Sequence, residues 1–184
     1  MIELCGLLKD VKEPLQLHWR CSTRVDLVDR ELLEKMYEAG CYNIQYGIEA
    51  GSQKILDSIG KKITLEQVRD AVRATLDSGI KVTCSFMFAH PLDTEETIRE
   101  QMQFMKELLE MGVAETMTAT TPFPGTYYYE HADELGIKIL ASNWDEYHGR
   151  HLMITTKYLS EEKLKSLLEE LVDDVGLTLD TREA

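Results

Sequence analysis

Four amphipathic segments of this 184-residue chain end in a glycine that is followed at once by an apolar residue. The four glycines are Gly40, Gly79, Gly112 and Gly136. Glycine is favoured directly after a helix because it adopts the left-handed backbone conformation without steric cost. The helix starts are marked as well, since Asp29 is an N-cap candidate, and Thr64 with Gln67 and Asp93 with Glu96 have capping-box spacing. The pattern therefore predicts four helices.

Short apolar stretches of strand length lie before and between these segments. They cover residues 15–19, 42–47, 81–89 and 115–121. Most lack regular polar alternation, which is typical of parallel strands covered on both faces. A repeat of strand, helix, glycine and strand predicts a right-handed α/β array. Because a complete (β/α)8 barrel has about 250 residues, the fold class is predicted as α/β, a partial TIM-like barrel of about four parallel strands.

The two ends of the chain depart from this repeat. Near the C-terminus we predict a strand at residues 151–155 and a helix that Ser160 caps, with leucines on one face. We interpret residues 1–140 as the partial barrel and residues 141–184 as an extension that packs on it. At the N-terminus a helical stripe of leucines begins without any capping signal. We therefore expect upstream structure to be missing, or else a frayed N-terminal helix.

The charge balance limits the partners of the chain. Its formal net charge is −13 and its pI is about 4.8. An acidic surface repels phosphate backbones and anionic lipids, so we expect a small-molecule substrate and neither a nucleic acid nor a membrane partner. No apolar run approaches the roughly 20 residues that span a bilayer, and no basic region precedes the first apolar residues. These features favour a cytoplasmic protein.

The four cysteines, Cys5, Cys21, Cys41 and Cys84, are widely spaced and form no Cys-x-x-Cys pair. Their simplest interpretation is buried thiols in a reducing compartment. Two histidines near residue 150 are too few to hold a metal ion. No metal site is predicted within the chain.

Glu49 is the polar residue that most needs an explanation. It follows an apolar stretch and lies between Gly47 and Gly51 in QYGIEAGSQ. Ligands of parallel α/β folds bind at the carboxyl ends of strands, and the glycines leave room beside the carboxylate. Glu49 would then accept hydrogen bonds from hydroxyl or ammonium groups. Alternatively, it stabilises the start of the following helix through the helix dipole.

Two further stretches follow predicted strands. In FMFAHPLDTEET, Pro91 ends the strand and the next helix start could contact an anion. His90 is then a polar rim residue, a ligand or a general base. In TTPFPGTYYY, the prolines around Phe123 predict a rigid turn, with flexibility at Gly125.

In order and spacing, these stretches resemble the radical S-adenosylmethionine (radical SAM) superfamily. The resemblance is greatest to the cobalamin-dependent branch that includes the anaerobic Mg-protoporphyrin monomethyl ester oxidative cyclase. It is carried by LHWRCSTRVDLVDRELLEKMYEAGCYNIQYGIEAGSQKILDSIGKKIT, then GIKVTCSFMFAHPLDTEETI, then TPFPGTYYYEHADELGI, which together cover roughly residues 1–137.

The resemblance implies a partial (β/α)6 barrel that binds S-adenosylmethionine at its strand ends. In such enzymes a four-iron four-sulfur cluster cleaves the cofactor, and the resulting radical removes a hydrogen atom or starts a methyl transfer. By motif position, Glu49 would bind the ribose or amino-acid end and Lys61 the cofactor carboxylate. Ser85 and Arg24 lie on matching strands, and the turn at Pro122 resembles the part near adenine. The catalytic residues remain unassigned, and a tetrapyrrole substrate is implied only by this branch.

The chain also departs from the family pattern. The Cys-x-x-x-Cys-x-x-Cys motif that holds the iron–sulfur cluster is absent, and cysteines spread over different elements cannot replace it. Ala89-His90-Pro91-Leu92 stands where the family has Gly-Leu-Pro-Gly. We therefore expect the C-terminal part of a radical SAM barrel, inactive alone. The cluster, and cobalamin if it is used, would belong to the full-length parent only. An exposed sheet edge would favour self-association, unless the C-terminal tail covers it.

Two functions of other classes stay open at this point. One is a natural cluster-free half-barrel that acts as a binding or assembly module. The other is an unrelated (β/α) hydrolase or lyase in which Glu49 and His90 serve as base and acid.

Overall fold

Each of the first four strands is followed by helical structure, as the sequence pattern predicts. The computed structural model describes residues 1–176. The helices are α1 Ile2–Leu15, α2 Arg30–Glu38, α3 Gln53–Ser58, α4 Leu65–Asp77, α5 Glu95–Glu110, α6 Tyr127–Glu130, α7 Ala132–Leu135 and α8 Glu161–Val175. The strands are β1 Trp19–Thr23, β2 Cys41–Glu49, β3 Lys81–Phe88, β4 Ala114–Ala119, β5 Lys138–Ile139 and β6 Ile154–Thr155. Two 3₁₀ turns cover Val25–Leu27 and Trp144–Glu146.

Four strands form one parallel sheet in the order β1-β2-β3-β4. In the β1–β2 pair, Cys21 lies opposite Ile44. Strands β5 and β6 form a separate antiparallel pair. The predicted α/β class with about four parallel strands is confirmed. Among the described residues β1 and β4 are the edges of the sheet, and self-association through an edge stays a prediction.

Burial alternates along the strands, which corrects the interpretation that they are covered on both faces. In β3 the buried residues are Val82, Cys84, Phe86 and Phe88. The residues between them are half-buried, and in β2 the same alternation places Tyr46 against α4, where its hydroxyl lies 2.8 Å from the Thr75 hydroxyl. The sequence hid this pattern because the more open positions carry small uncharged residues such as Thr83 and Ser85.

Most helix ends follow the predicted capping chemistry. The Asp29 carboxylate accepts a hydrogen bond from the Leu32 amide at the start of α2. Thr64 and Gln67 form both hydrogen bonds of a capping box at α4. The glycines after the four predicted helices all have positive φ, so each uses the conformation that excludes most side chains.

The start of α5 differs from the prediction. Its reciprocal hydrogen bonds join Thr94 and Thr97, not Asp93 and Glu96. The Asp93 carboxylate instead accepts hydrogen bonds from the His90 amide and the Thr97 hydroxyl. Asp93 therefore stabilises the turn before the helix.

Other boundaries also differ from the predictions. Helix α1 continues to Leu15 and is closed by Gln16 in the left-handed conformation, with φ 48°. The apolar residues at 15–19 that suggested a strand are thus a helix end and a turn, and β1 begins at Trp19. The helix predicted at 127–135 is split at His131. The strand predicted at 151–155 is reduced to β6.

The chain divides into two compact units. The first comprises Met1–Ile48, Lys62–Ser85 and Glu107–Glu115. The second comprises Glu49–Lys61, Phe86–Lys106 and the described residues from Thr116 onward. The predicted division of the chain at residues 140 and 141 stays a prediction, and residues 177–184 of the predicted extension lie outside the described residues.

Helix α8 belongs to the second unit and is held there by apolar and ionic contacts. Ser160 caps it, as predicted. Its buried face consists of Leu164, Leu167, Leu171 and Val175. Three ion pairs join α8 or its first turn to α5: Lys163 with Glu95, Arg99 with Glu170 and Lys106 with Asp174.

Helix α1 belongs to the first unit and leaves much of its apolar stripe in solvent. Leu4, Leu7 and Val11 are 47%, 63% and 40% exposed, whereas Cys5 is buried. Across residues 1–176 no helix combines the length and the hydrophobicity that crossing a membrane requires.

Glu115 on β4 is a buried acid. Its residue is 8% exposed, and neither carboxylate oxygen has a hydrogen-bond partner among the described residues. Burial raises the pKa of Glu115 to about 8, because a charged carboxylate is costly in an apolar environment. The negative charge of Glu115 adds to the effect of burial in raising the pKa of the neighbouring Cys84 thiol.

This burial predicts a pH-dependent stability. The folded state keeps a proton on Glu115 up to about pH 8, while the unfolded state releases it near the ordinary glutamate pKa of about 4.3. The stabilisation that comes from protonated Glu115 is therefore complete below about pH 4.3 and is lost as the pH rises towards 8. We expect Glu115→Gln to unfold at a higher denaturant concentration than the natural protein at pH 9, and to gain little at pH 4.

Urea unfolding of both proteins at pH 4, 7 and 9 measures this difference. The contributions of the other titrating groups to the unfolding free energy are the same in both proteins and cancel in the comparison. A difference in unfolding free energy that does not change with pH would contradict the prediction.

Candidate functional site

Glu49 ends β2 with a strained backbone. Its φ is 75°, a left-handed conformation that costs a residue with a side chain roughly 1–2 kcal/mol. Its carboxylate accepts a hydrogen bond from Lys61 at 3.0 Å. The side chains of Glu49 and Lys61 are 29% and 16% exposed. The structure thus brings together two of the predicted site residues in a half-buried ion pair.

The turn after Glu49 is fixed by α5. The Gly51 amide donates to the Gln101 side-chain oxygen at 3.1 Å, and Gln101 in turn donates to the Met87 carbonyl at 3.2 Å. The Ser52 hydroxyl donates to the Glu100 carboxylate. Gly51 is required for this approach, because a Cβ at that position would lie 2.6 Å from the Gln101 Cα.

The end of β3 lies against this turn. Ala89 is left-handed, with φ 67°, and it occupies a position where glycine would carry no strain. His90 is only 2% exposed, which corrects its interpretation as a rim residue. Its Nε2 lies 3.2 Å from the Glu49 carbonyl oxygen.

The end of β4 contributes buried polar atoms and the predicted turn. Thr120 donates its amide to the Phe88 carbonyl at 2.9 Å. The hydroxyl of Thr120 and the Nδ1 atom of His90 are buried without a partner in the described part of the chain. Pro122 is buried in the turn that follows.

A cavity of about 610 Å³ lies within the second unit, a size typical of small-molecule sites. Its lining residues are Ser58, Ile59, Gly60, Pro91, Leu92, Tyr127, Tyr128 and Leu135. They follow β2, β3 and β4, and none is charged. Burial, together with the negative charge of Asp93, raises the pKa of Tyr128 to about 12.

Arg24 and Ser85 belong to the first unit and contact other partners there. The Arg24 guanidinium donates two hydrogen bonds, of 2.8 and 2.9 Å, to the Asp26 carboxylate. The Ser85 hydroxyl donates to the Tyr46 carbonyl at 3.4 Å. Their predicted role in cofactor binding stays a prediction.

The cysteines lie on four elements. Cys5 is on α1, Cys21 on β1, Cys41 on β2 and Cys84 on β3. A hydrogen bond between the thiols of Cys21 and Cys41 lowers the pKa of Cys21 to about 7 and raises that of Cys41. Within residues 1–176 no three His, Cys, Asp or Glu side chains converge as a metal site would require.

Comparison with known proteins decides the family. A profile of the radical SAM superfamily matches residues 2–105. This chain belongs to the radical SAM superfamily. It is 32% identical over 163 residues to an uncharacterised methyltransferase of Pyrococcus horikoshii, covering 89% of this chain and 35% of that protein.

A second relative agrees with this membership, and a solved structure shares the fold. The anaerobic magnesium-protoporphyrin IX monomethyl ester cyclase of Rubrivivax gelatinosus is 29% identical over 149 residues, covering 80% of this chain and 26% of that protein. A radical S-adenosylmethionine methyltransferase of Kitasatospora setae, solved with cobalamin and an iron–sulfur cluster, has a TM-score of 0.71 at 17% identity. That match covers 94% of this chain and 40% of the other, and it supports the partial barrel fold. The chain thus spans 35% and 26% of the lengths of these two curated relatives.

The residues of this radical SAM chain fit the two implied groups unequally. S-adenosylmethionine has an ammonium group, a carboxylate and ribose hydroxyls. In the Glu49–Lys61 pair, the Glu49 carboxylate can accept from the ammonium or the hydroxyls, and the Lys61 ammonium is opposite in charge to the cofactor carboxylate. An iron–sulfur cluster needs thiolates that converge, and the four cysteines do not provide them. Sequence reasoning missed Glu100 and Gln101 as well as the burial of His90, because each of these depends on tertiary packing.

The close approach at Gly51 predicts a specific sensitivity. Gly51→Ala should lower the free energy of unfolding by about 1–3 kcal/mol, because the new methyl group would force the α5 backbone away. Gly6→Ala is the matched control. Gly6 lies inside α1, and a Cβ at that position would have no atom within 4 Å, so the same substitution there should stabilise by roughly 0.5–1 kcal/mol.

Urea unfolding of the two variants tests the pair. Similar changes in unfolding free energy at Gly51 and Gly6 would show that α5 does not restrict position 51.

Proposed function

We propose that this chain carries part of the S-adenosylmethionine site of a radical SAM enzyme of the methyltransferase or cyclase type. The observation that carries the proposal is the half-buried Glu49–Lys61 ion pair after β2. An amino-acid zwitterion complements such a pair, since its ammonium group bonds the carboxylate and its carboxylate bonds the lysine. The ribose hydroxyls are alternative donors to Glu49.

The neighbouring cavity supports the same proposal. Its lining is uncharged and contains two tyrosines, which suits the flat, neutral adenine ring. The Ser58 hydroxyl and the tyrosine hydroxyls offer hydrogen-bonding groups at its wall. Gly60 lines the cavity and directly precedes Lys61, so the cavity and the ion pair belong to adjacent residues.

The positions of the four cysteines bear on which residues hold the iron–sulfur cluster. When bound, an iron–sulfur cluster supplies the electron that cleaves S-adenosylmethionine in radical SAM enzymes. We propose that its thiolate ligands come from residues other than the four cysteines of this chain. The chain alone would then bind the cofactor without turning it over.

The first test measures cofactor binding. Calorimetric titration of the chain with S-adenosylmethionine should show saturable binding. Glu49→Gln and Lys61→Met should each weaken binding about tenfold or more, because charge-assisted hydrogen bonds contribute roughly 1.5–3 kcal/mol. Lys165→Met is the matched control, since Lys165 forms an exposed pair with Glu161 on α8.

The same titration with methionine separates the two ends of the cofactor. If Glu49 and Lys61 recognise the amino-acid end, methionine competes and loses affinity in both variants. An absence of S-adenosylmethionine binding to the folded natural chain would overturn the proposal for this chain.

For the substrate we propose a tetrapyrrole, on the basis of the cyclase relative and of an exposed aromatic strip. The strip consists of Phe123, Tyr147 and Trp144, whose ring centroids are 6.0 and 5.4 Å apart in succession. Phe123 and Trp144 are 47% and 68% exposed. Exposed aromatic rings of this kind offer faces on which a flat conjugated ring can stack.

Tryptophan fluorescence tests the substrate class. Magnesium protoporphyrin should quench the emission of Trp144 in a saturable manner. In a Trp144→Phe variant the remaining emission comes from Trp19, which donates to the Ala39 carbonyl. That variant therefore serves as the reference for quenching that does not involve Trp144. Equal quenching in the natural protein and in Trp144→Phe would contradict stacking on the strip.

A cluster-free binding module is the second candidate, and the separation of the cysteines favours it. The gene sequence upstream of the Met1 codon distinguishes the two. An in-frame Cys-x-x-x-Cys-x-x-Cys segment would support the radical enzyme. A stop codon and a ribosome-binding site would support the module.

A further inference from the structure

His90 is buried at the end of β3 with its ring against the strained Glu49 backbone. The acceptor at 3.2 Å from His90 Nε2 is the Glu49 carbonyl oxygen. A carbonyl only accepts hydrogen bonds, so Nε2 carries the proton. The contact is thus a hydrogen bond from the imidazole to the main chain of the residue that carries the proposed site.

The imidazole is held in place by its own surroundings. The His90 amide donates to the Asp93 carboxylate at 2.7 Å, and the Asp93 amide returns a hydrogen bond to the His90 carbonyl at 3.0 Å. Asp93 is fixed in turn by the Thr97 hydroxyl at 2.8 Å. The ring cannot turn into solvent because the residue is 2% exposed.

Glu49 needs this support. A non-glycine residue with φ 75° persists only where neighbouring contacts outweigh the strain. Lys61 holds the carboxylate, and Gln101 holds the amide of Gly51. His90 adds a contact to the Glu49 carbonyl itself, the group whose direction is set by the unusual backbone angles.

We infer that His90 is a positioning residue, which donates from Nε2 to the Glu49 carbonyl and thereby fixes the direction of the Glu49 carboxylate. This inference rests on the proposed function of Glu49 as a cofactor contact. The sequence stretch that suggested a general base thus places its histidine behind the site. His90 acts on the ligand through Glu49.

Two variants of equal length separate positioning from packing. The side-chain amide nitrogen of His90→Gln occupies the place of Nε2 and keeps a donor, whereas His90→Met fills similar space without one. We expect His90→Met to weaken S-adenosylmethionine binding about tenfold, as the loss of one buried hydrogen bond predicts. We expect His90→Gln to stay within about twofold of the natural chain, well under the tenfold that one buried hydrogen bond represents. Circular dichroism and thermal unfolding confirm that both variants fold.

The outcomes are distinct. Equal cofactor affinity in His90→Met and the natural chain, with only a lower unfolding temperature, would overturn the inference and leave His90 a packing residue. Equal loss in both variants would also overturn it, since the donor would then be irrelevant.

A second measurement does not depend on the cofactor. Nitrogen-15 NMR of the histidine rings in the natural chain should show His90 as the Nε2–H tautomer, with an Nε2 proton protected from exchange. An Nδ1–H tautomer would overturn the inference even if His90→Met fails to fold. If the natural chain binds no S-adenosylmethionine while His90 shows the expected tautomer, the proposed function fails and the Glu49–His90 contact stands.

Discussion

The left-handed backbone of Glu49 is the constraint on which the proposed site depends. If β2 kept an extended backbone at residue 49, its side chains would continue to point to alternate faces of the sheet and the chain would run on in the strand direction. The positive φ at this residue instead turns the chain towards Gly51, and only glycine leaves room for α5 there. Three separate segments therefore converge on Glu49 and Gly51: the turn that carries Lys61, the loop that carries His90 and the helix that carries Gln101. Strain that would be unfavourable locally is held by contacts that are distant in sequence.

Local chemistry made much of the fold predictable. The caps at Asp29 and Thr64 and the glycines after the helices depend on nearest neighbours, so they can be read from short segments. Strand exposure was misjudged, because Thr, Ser and Gly are neither clearly apolar nor clearly polar and conceal an alternation that packing against helices creates. The strand predicted at 15–19 failed for a related reason, since apolar residues in the last turn of a helix have no periodicity of their own.

The site was predictable to a lesser extent. Glu49 was conspicuous because a carboxylate between two glycines is uncommon after an apolar stretch. Lys61 was connected to it only through the family resemblance, and the ion pair between them is a property of the turn that α3 makes. The burial of His90 could not be predicted, because a histidine before a proline is typical of an exposed loop. The buried position depends on hydrogen bonds to Asp93 and Glu49, which are tertiary contacts or contacts within the turn.

The attachment of α8 has a consequence for how the molecule opens. Its ion pairs with α5 lie at the surface, where every charged side chain is at least 39% exposed, and exposed ion pairs of this kind contribute little to stability and are weakened by salt. The helix is therefore retained mainly by the apolar residues of one face. The stabilisation that apolar burial provides weakens on cooling. A cold solution of high ionic strength weakens both attachments together, and we expect α8 to open there as a separate cooperative unit that exchanges its amide protons before the parallel sheet does.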